Sequence, residues 1–169
     1  MSSVNITVDE DSVQVLVGEL RYYGSFYSTQ DQTNAGATSE NLMTYNNTDL
    51  SNGVSIVSNS RITIANAGIY NIQFSAQLDK TDAGNDAIEI WLKKNGSNVS
   101  NSSTVVTLHA QDGKAVAAWN WFVNAAAADY FEIAWNSADT AMFINYSTGG
   151  SNPTRPAIPS IILTVNRVG

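Results

Sequence analysis

The sequence predicts an all-β fold, a sandwich of two antiparallel sheets, and three observations carry that prediction. Apolar and polar residues alternate with a period of two along most of the chain. Clusters of Gly, Asn, Asp and Ser break the alternation at the spacing of short strands, and no segment reads as a helix. Hydrophobic residues make up 43% of the chain and charged residues only 14%, so neutral Asn, Ser, Thr and Ala must cover much of the surface. That balance suits sheets and packed assemblies better than a charge-laced helical exterior. At 169 residues the chain is sized for one core.

Taken in order, residues 1–18 carry two alternating runs, Val4, Ile6, Val8 and Val13, Val15, Val17, around Asp9-Glu10-Asp11-Ser12. They predict a β arm or hairpin ahead of a main domain over 19–169. The arm could pair its backbone with an exposed sheet edge on another protein, by strand addition; the alternative is an extra strand or two of the same domain. Leu20 to Ser28 is aromatic-rich, Ser28 to Asn41 reads as an exposed loop, and Gly53 to Ile64 holds two short alternating runs. The strongest strand is Gly68 to Asp79, with Tyr70, Ile72, Phe74, Ala76 and Leu78 on one face. Asp86 to Lys94 alternates likewise and stops at Asn95-Gly96, a strong turn signal. Further strands follow at Ser103 to Ala110, Ala115 to Asn124, Asp129 to Asn136 and Thr140 to Tyr146. The Gly- and Ser-rich loop from Ser147 to Arg155 precedes a last strand, Pro159 to Val168. Period alone does not separate a jelly roll from an immunoglobulin-like topology.

Composition also excludes function classes. The net charge is -7, and basic residues stand singly apart from Lys93-Lys94, so no positive track can neutralise phosphates and nucleic acid is excluded as a partner. The absence of cysteine removes disulfides, thiolate zinc sites and thiol nucleophiles. The N-terminus has no basic and apolar regions of a signal peptide, and no run approaches the ~20 apolar residues of a membrane span. Synthesis in a cytoplasm without export, and no membrane partner, are the expectations.

Candidate chemistry is sparse. His109 is the only histidine, and nothing in the sequence positions a Ser and an Asp beside it. The pairs Asp129 with Glu132 and Asp86 with Glu89 have the residue types of a glycosidase acid and base but read as ordinary acidic strand edges. No catalytic residue, enzyme activity or cofactor is expected. Asp79, Asp82 and Asp86 gather hard oxygen ligands around Gly84, as calcium requires, without EF-hand spacing; a solvated loop is the default. Trp119 and Trp121 share one strand face, which suits packing between subunits or, less readily, a stacking platform for a sugar.

The stretch Ile62-Thr63-Ile64-Ala65-Asn66-Ala67-Gly68-Ile69-Tyr70-Asn71-Ile72-Gln73-Phe74 resembles the Gly-x-Tyr strand entrance of the tumour necrosis factor and complement globular-head superfamily. Leu92 to Gly96, Trp119 to Val123, Asp129 to Ile133 and Ile161 to Val165 are similar to its later landmarks, so the resemblance spans roughly residues 20 to 168. It implies a jelly roll assembled as a homotrimer, with one sheet of each subunit against the threefold axis. Tyr23, Tyr27, Trp119, Trp121 and Ile162 are then the interface candidates. The closing pattern from Arg155 to Val165, in its cysteine-free surroundings, looks like phage-borne members.

The resulting expectation is a non-enzymatic bacteriophage structural protein of the virion, a trimeric capsid decoration or cement protein. It would dock on the major capsid protein or another virion protein through Val4, Ile6, Val8, Val13, Val15 and Val17, because little chain precedes the domain to form a stalk. The alternatives are the receptor-binding tip of a tail fibre or spike, meeting a host surface glycan or protein through the 28–41 and 147–155 loops, and a lectin-like or glycan-active sandwich.

Overall fold

The computed structural model describes residues 4–9, 12–17 and 21–169. Among the described residues every regular element is a strand, and no helix is long and apolar enough to cross a membrane. Strands β1 (Val4–Asp9) and β2 (Ser12–Val17) pair antiparallel, Val4 opposite Val17, as a two-stranded sheet of their own. Then come β3 (Tyr23–Ser28), β4 (Gln32–Thr33), β5 (Asn41–Leu42) and β6 (Asn47–Asn52). A hairpin of β7 (Val54–Val57) and β8 (Arg61–Ile64) leads to the long strands β9 (Gly68–Lys80) and β10 (Asn85–Lys94). The chain continues through β11 (Ser97–Asn98), β12 (Thr104–His109), β13 (Ala115–Ala125) and β14 (Tyr130–Ser137). It closes with β15 (Met142–Ile144), the small hairpin β16 (Gly150–Ser151) and β17 (Thr154–Arg155), and β18 (Ile161–Arg167).

Two seven-stranded sheets result. One runs β4–β15–β9–β18–β3–β6 with β13 beside β9; the other runs β11–β10–β14–β8–β7 with β12 beside β10 and β5 beside β14. The core lies between them. Strict alternation turns Tyr70, Ile72, Phe74, Ala76 and Leu78 of β9 inward, where they meet Ile88, Ile90 and Leu92 of β10 and Phe131, Ile133 and Trp135 of β14. The central strand β18 adds Ile161, Leu163 and Val165.

Two turns show why particular residues are needed. Asn95 and Gly96 have φ of 51° and 80°, the two positive values of a tight hairpin turn, which Asn-Gly adopts at least cost. At Gly68 a Cβ would fall 2.4 Å from Arg167 Nε and 2.6 Å from the Gly169 carbonyl, so a side chain there would displace the end of the chain.

The Asn95 turn is latched to the one between β13 and β14. Asn95 Oδ1 accepts from Tyr130 N at 2.9 Å, and Asp129 accepts from Asn95 Nδ2, Ala126 N and Lys94 Nζ at 2.7–2.8 Å. The Lys94 ammonium, then Asn95 and the Ala126 amide, pull the Asp129 carboxyl down to about 2. A lowered folded-state value stabilises the fold above the ordinary carboxylate range and loses that contribution as pH falls through about 2. Asp129→Asn is therefore expected to lower stability at neutral pH and to make its decline between about pH 4 and pH 2 shallower. Urea midpoints measured across that range check this; an unchanged slope would remove Asp129 as a source of acid sensitivity.

The structure differs from the sequence reading in three places. Asn47–Asn52 is a strand, largely exposed and polar apart from Leu50, held by pairing along β3. The 28–41 segment is not simply exposed: Asn34 Nδ2 donates to the Ser137 and Asp139 carbonyls at 2.7 and 3.0 Å, and Gln32 brackets the Thr44 backbone, both side chains buried. The loop after Ser147 contains the β16–β17 hairpin.

Both ends of the sandwich domain sit together. Arg167 N donates to the Tyr22 carbonyl and Ile69 N to the Gly169 carbonyl, each at 2.9 Å. The 81–84, 110–114 and 145–160 connections lie at the opposite end, where β9 finishes, β13 starts and β18 starts.

Candidate functional site

Among the described residues, the outward face of the β9 sheet is the most distinctive surface. Its register lines up three rows across β13, β9, β18 and β3: Phe122–Asn71–Asn166–Tyr23, Asn120–Gln73–Thr164–Ser25, and Ala118–Ser75–Ile162–Tyr27. None of these twelve positions is charged. Phe122 is 67% exposed and Ile162 and Tyr23 are 41% exposed, while Asn120 Nδ2 donates to Asn71 Oδ1 at 2.8 Å and Asn71 to Asn166 at 3.4 Å. Charge appears at its borders, where Asp49 of β6 meets Ser25 Oγ and, at the loop end, Asp79 of β9 pairs with Lys114. By contrast, the β10 sheet carries Glu89, Lys93 and Lys94 on β10, Arg61 on β8 and Glu132 on β14.

The structure brings Tyr23, Tyr27 and Ile162 together on this face and places Trp119 and Trp121 on the other side of the sheet. Trp119 lies opposite Phe74 in the register, so both indoles turn toward the core. Phe74 contacts Trp119 edge-on at 4.7 Å and stacks on Trp121 at 5.4 Å. The outward aromatic of β13 is Phe122 instead, which the sequence reading did not single out. The six arm residues lie in β1 and β2, whose side chains are outside the described set.

The acidic loop also rearranges. Asp79 leaves the group: it is buried, accepts from the Lys80 amide at 2.8 Å and pairs with Lys114. Asp139 takes its place, its carboxylate lying within 4.8 Å of those of Asp82 and Asp86. Into this trio reaches the fully buried side chain of Lys80, which pairs with Asp86, lies 3.4 Å from Asp82 and donates to the Gly84 carbonyl at 2.9 Å. Burial acts to lower the Lys80 ammonium, but Asp86 and Asp82 outweigh it and hold the group above the ordinary lysine value. Its stabilisation is thus complete at neutral pH and lost only as pH rises through that raised value. The internal ammonium places one positive charge beside Asp82 and Asp86.

The candidate acid–base pairs do not converge. Asp129 serves the turn latch, and Glu132 is buried against Ser60 Oγ at 2.9 Å and Arg61 at 3.7 Å. Asp86 is held by Lys80, whereas Glu89 is exposed. His109 is exposed at the end of edge strand β12, opposite Asn85. A cleft of ≈ 460 Å³ opens at the loop end among Gln77, Lys114, Val116, Asn145, Ser147 and Ile158, and Lys114, the one cation among its described lining residues, is paired with Asp79.

No protein-family model matches the chain, and no curated protein does. Among solved structures, the globular domain of a zebrafish complement 1qA protein superimposes with a TM-score of 0.55 over 89% of this chain and 98% of that one. The sandwich is a jelly roll. Sequence identity is 13%, so the likeness is one of fold. It settles the topology that strand period left open and agrees with the resemblance read from the Gly68-Ile69-Tyr70 region.

Proposed function

We propose that this jelly roll is a non-enzymatic building block of a bacteriophage particle, a homotrimeric knob that decorates or cements the capsid. The observation that carries the assembly half is the charge-free face of the β9 sheet. Burying it against two copies costs no charge desolvation, covers Phe122, Ile162 and Tyr23, and leaves the charged β10 sheet in water. The arrangement of the ends supports the docking half: the arm departs from the end opposite the 81–84 and 145–160 loops, so a knob fastened through β1 and β2 points those loops outward. The phage setting rests on the resemblance of the Arg155 to Val165 pattern. The same outward loops favour a second reading, a receptor-binding tip of a tail fibre or spike.

Electron cryomicroscopy of the purified particle separates the two. Knob density at the junctions of capsid subunits is the expected result, and density confined to the tail overturns the capsid reading. Removing residues 1–18 is expected to leave a folded trimer that no longer binds particles stripped of the protein; binding that survives the deletion removes the arm from the docking role.

A further inference from the structure

We propose that the cleft between Trp91 and the 95–103 loop is a subsite for one neutral hexopyranose ring of a glycan. This goes beyond the assembly reading and does not depend on it, because the cleft lies on the β10 sheet, away from the charge-free face.

The cleft has a volume of ≈ 300 Å³, at the small end of natural ligand sites and so scaled to a single ring. Alternation along β10 buries Ile90 and Leu92 and turns Glu89 and Trp91 outward together. The indole is held in place, its Nε1 donating to Asn98 Oδ1 at 2.9 Å. The loop that carries Asn98 is itself fixed. Val99 N donates to the Leu92 carbonyl at 2.9 Å, and the buried Ser102 Oγ accepts from Leu92 N at 3.0 Å and donates to the Val99 carbonyl at 2.8 Å. A ring entering the cleft would find it already formed, so little binding energy is lost to ordering it.

The lining matches what a sugar offers. A pyranose has an apolar C–H face, which stacks on an aromatic plane, and a rim of hydroxyls that need acceptors and donors; Trp91 supplies the plane. Glu89, two residues away on the same strand face and so about 7 Å along it, supplies a carboxylate that can accept from two neighbouring hydroxyls. Glu89 takes part in none of the ion pairs among the described residues. Asn101 and Ser103, both exposed, furnish polar groups on the opposite rim. Among the described residues no Lys or Arg lines the cleft, and with Glu89 present it repels phosphate, sulfate and carboxylate groups, which selects neutral sugars. The tryptophans that the sequence pattern offered for stacking, Trp119 and Trp121, turn toward the core, whereas Trp91 faces outward.

The full chain, ¹⁵N-labelled, tests this. Its four tryptophans give separate indole N–H signals, and Trp91→Phe identifies the one of interest. Methyl β-galactoside, methyl α-glucoside, methyl α-mannoside and N-acetylglucosamine are each titrated to about 100 mM, well above the millimolar dissociation constant expected for one ring. The expected result is a saturable shift of the Trp91 signal with at least one of the four. Saturation transfer to that sugar is then expected to weaken about tenfold in Glu89→Gln and to vanish in Trp91→Ala, with the other three indole signals unmoved as proof of folding. A Trp91 signal indifferent to all four sugars overturns the proposal, as does saturation transfer that Trp91→Ala leaves intact.

Discussion

Ile162→Asp is expected to break the proposed trimer into single chains, so that the mass seen by light scattering at micromolar concentration falls to the 18.1 kDa of one copy. Ile162 sits in β18, the strand flanked by β9 and β3, in the row Ala118–Ser75–Ile162–Tyr27. Neither that row nor the next contains a cation to pair with a carboxylate. Packing around a threefold axis would desolvate three unpaired charges at several kcal/mol each, more than a modest interface can absorb. Ile162→Ala, by comparison, removes about 1–2 kcal/mol of apolar burial per subunit and should weaken the trimer without dissolving it. An Asp variant that stays trimeric puts the interface elsewhere, and a wild-type monomer at the same concentration removes the assembly reading altogether.

Phe74→Ala is expected to cost about 3–5 kcal/mol of folding stability, the range for emptying a buried aromatic site. Phe74 is 2% exposed and links the two indoles of β13 to the core, so its loss loosens an entire edge strand as well as opening a cavity. Urea midpoints followed by tryptophan fluorescence read the effect. Protein concentration must be held constant, because assembly makes the midpoint depend on it. Phe122→Ala, on β13 beside the two indoles, is the control: its ring is mostly exposed in the single chain, and its truncation should cost folding less than about 1 kcal/mol while weakening association. A Phe74→Ala penalty below that of Phe122→Ala would contradict the inward placement of Trp119 and Trp121.

These two residues also show what was legible in the sequence. Parity along a strand is a local property, and the pattern correctly groups Tyr70 with Phe74 and Trp119 with Trp121. Which parity faces the core is decided by pairing with a distant strand, Trp119 against Phe74, and an aromatic-rich strand with Ala and Asn between its rings carries no local mark of it. That is why the sequence alone leaves Phe122 unmarked and makes Trp119 and Trp121 read as interface residues. Strand β6 was invisible for a different reason: Asn47-Thr48-Asp49-Leu50-Ser51-Asn52 has no apolar face, and it is a strand because β3 offers an open edge of hydrogen-bonding groups. Asp139 joins Asp82 and Asp86 through the pairing of Met142 with Lys80, a contact remote in sequence, whereas Asp79, a near neighbour, points to Lys114. The charge-free face likewise emerges only once four strands from separate parts of the chain are set side by side. The Asn95-Gly96 turn was readable at once because its cause is contained in two residues.

The meeting of the domain's two ends bears on how it would respond to force. Strands β3 and β18 are antiparallel neighbours, and the start of one lies beside the finish of the other. Tension applied between those ends would open their ladder like a zipper, one pair of hydrogen bonds at a time. Tension entering through the arm and leaving through the loops at the far end runs along the strands, perpendicular to the bonds that join them, and must shear many bonds together. A knob held by its arm and pulled at its loops is thus loaded in the direction in which the sheet is strongest.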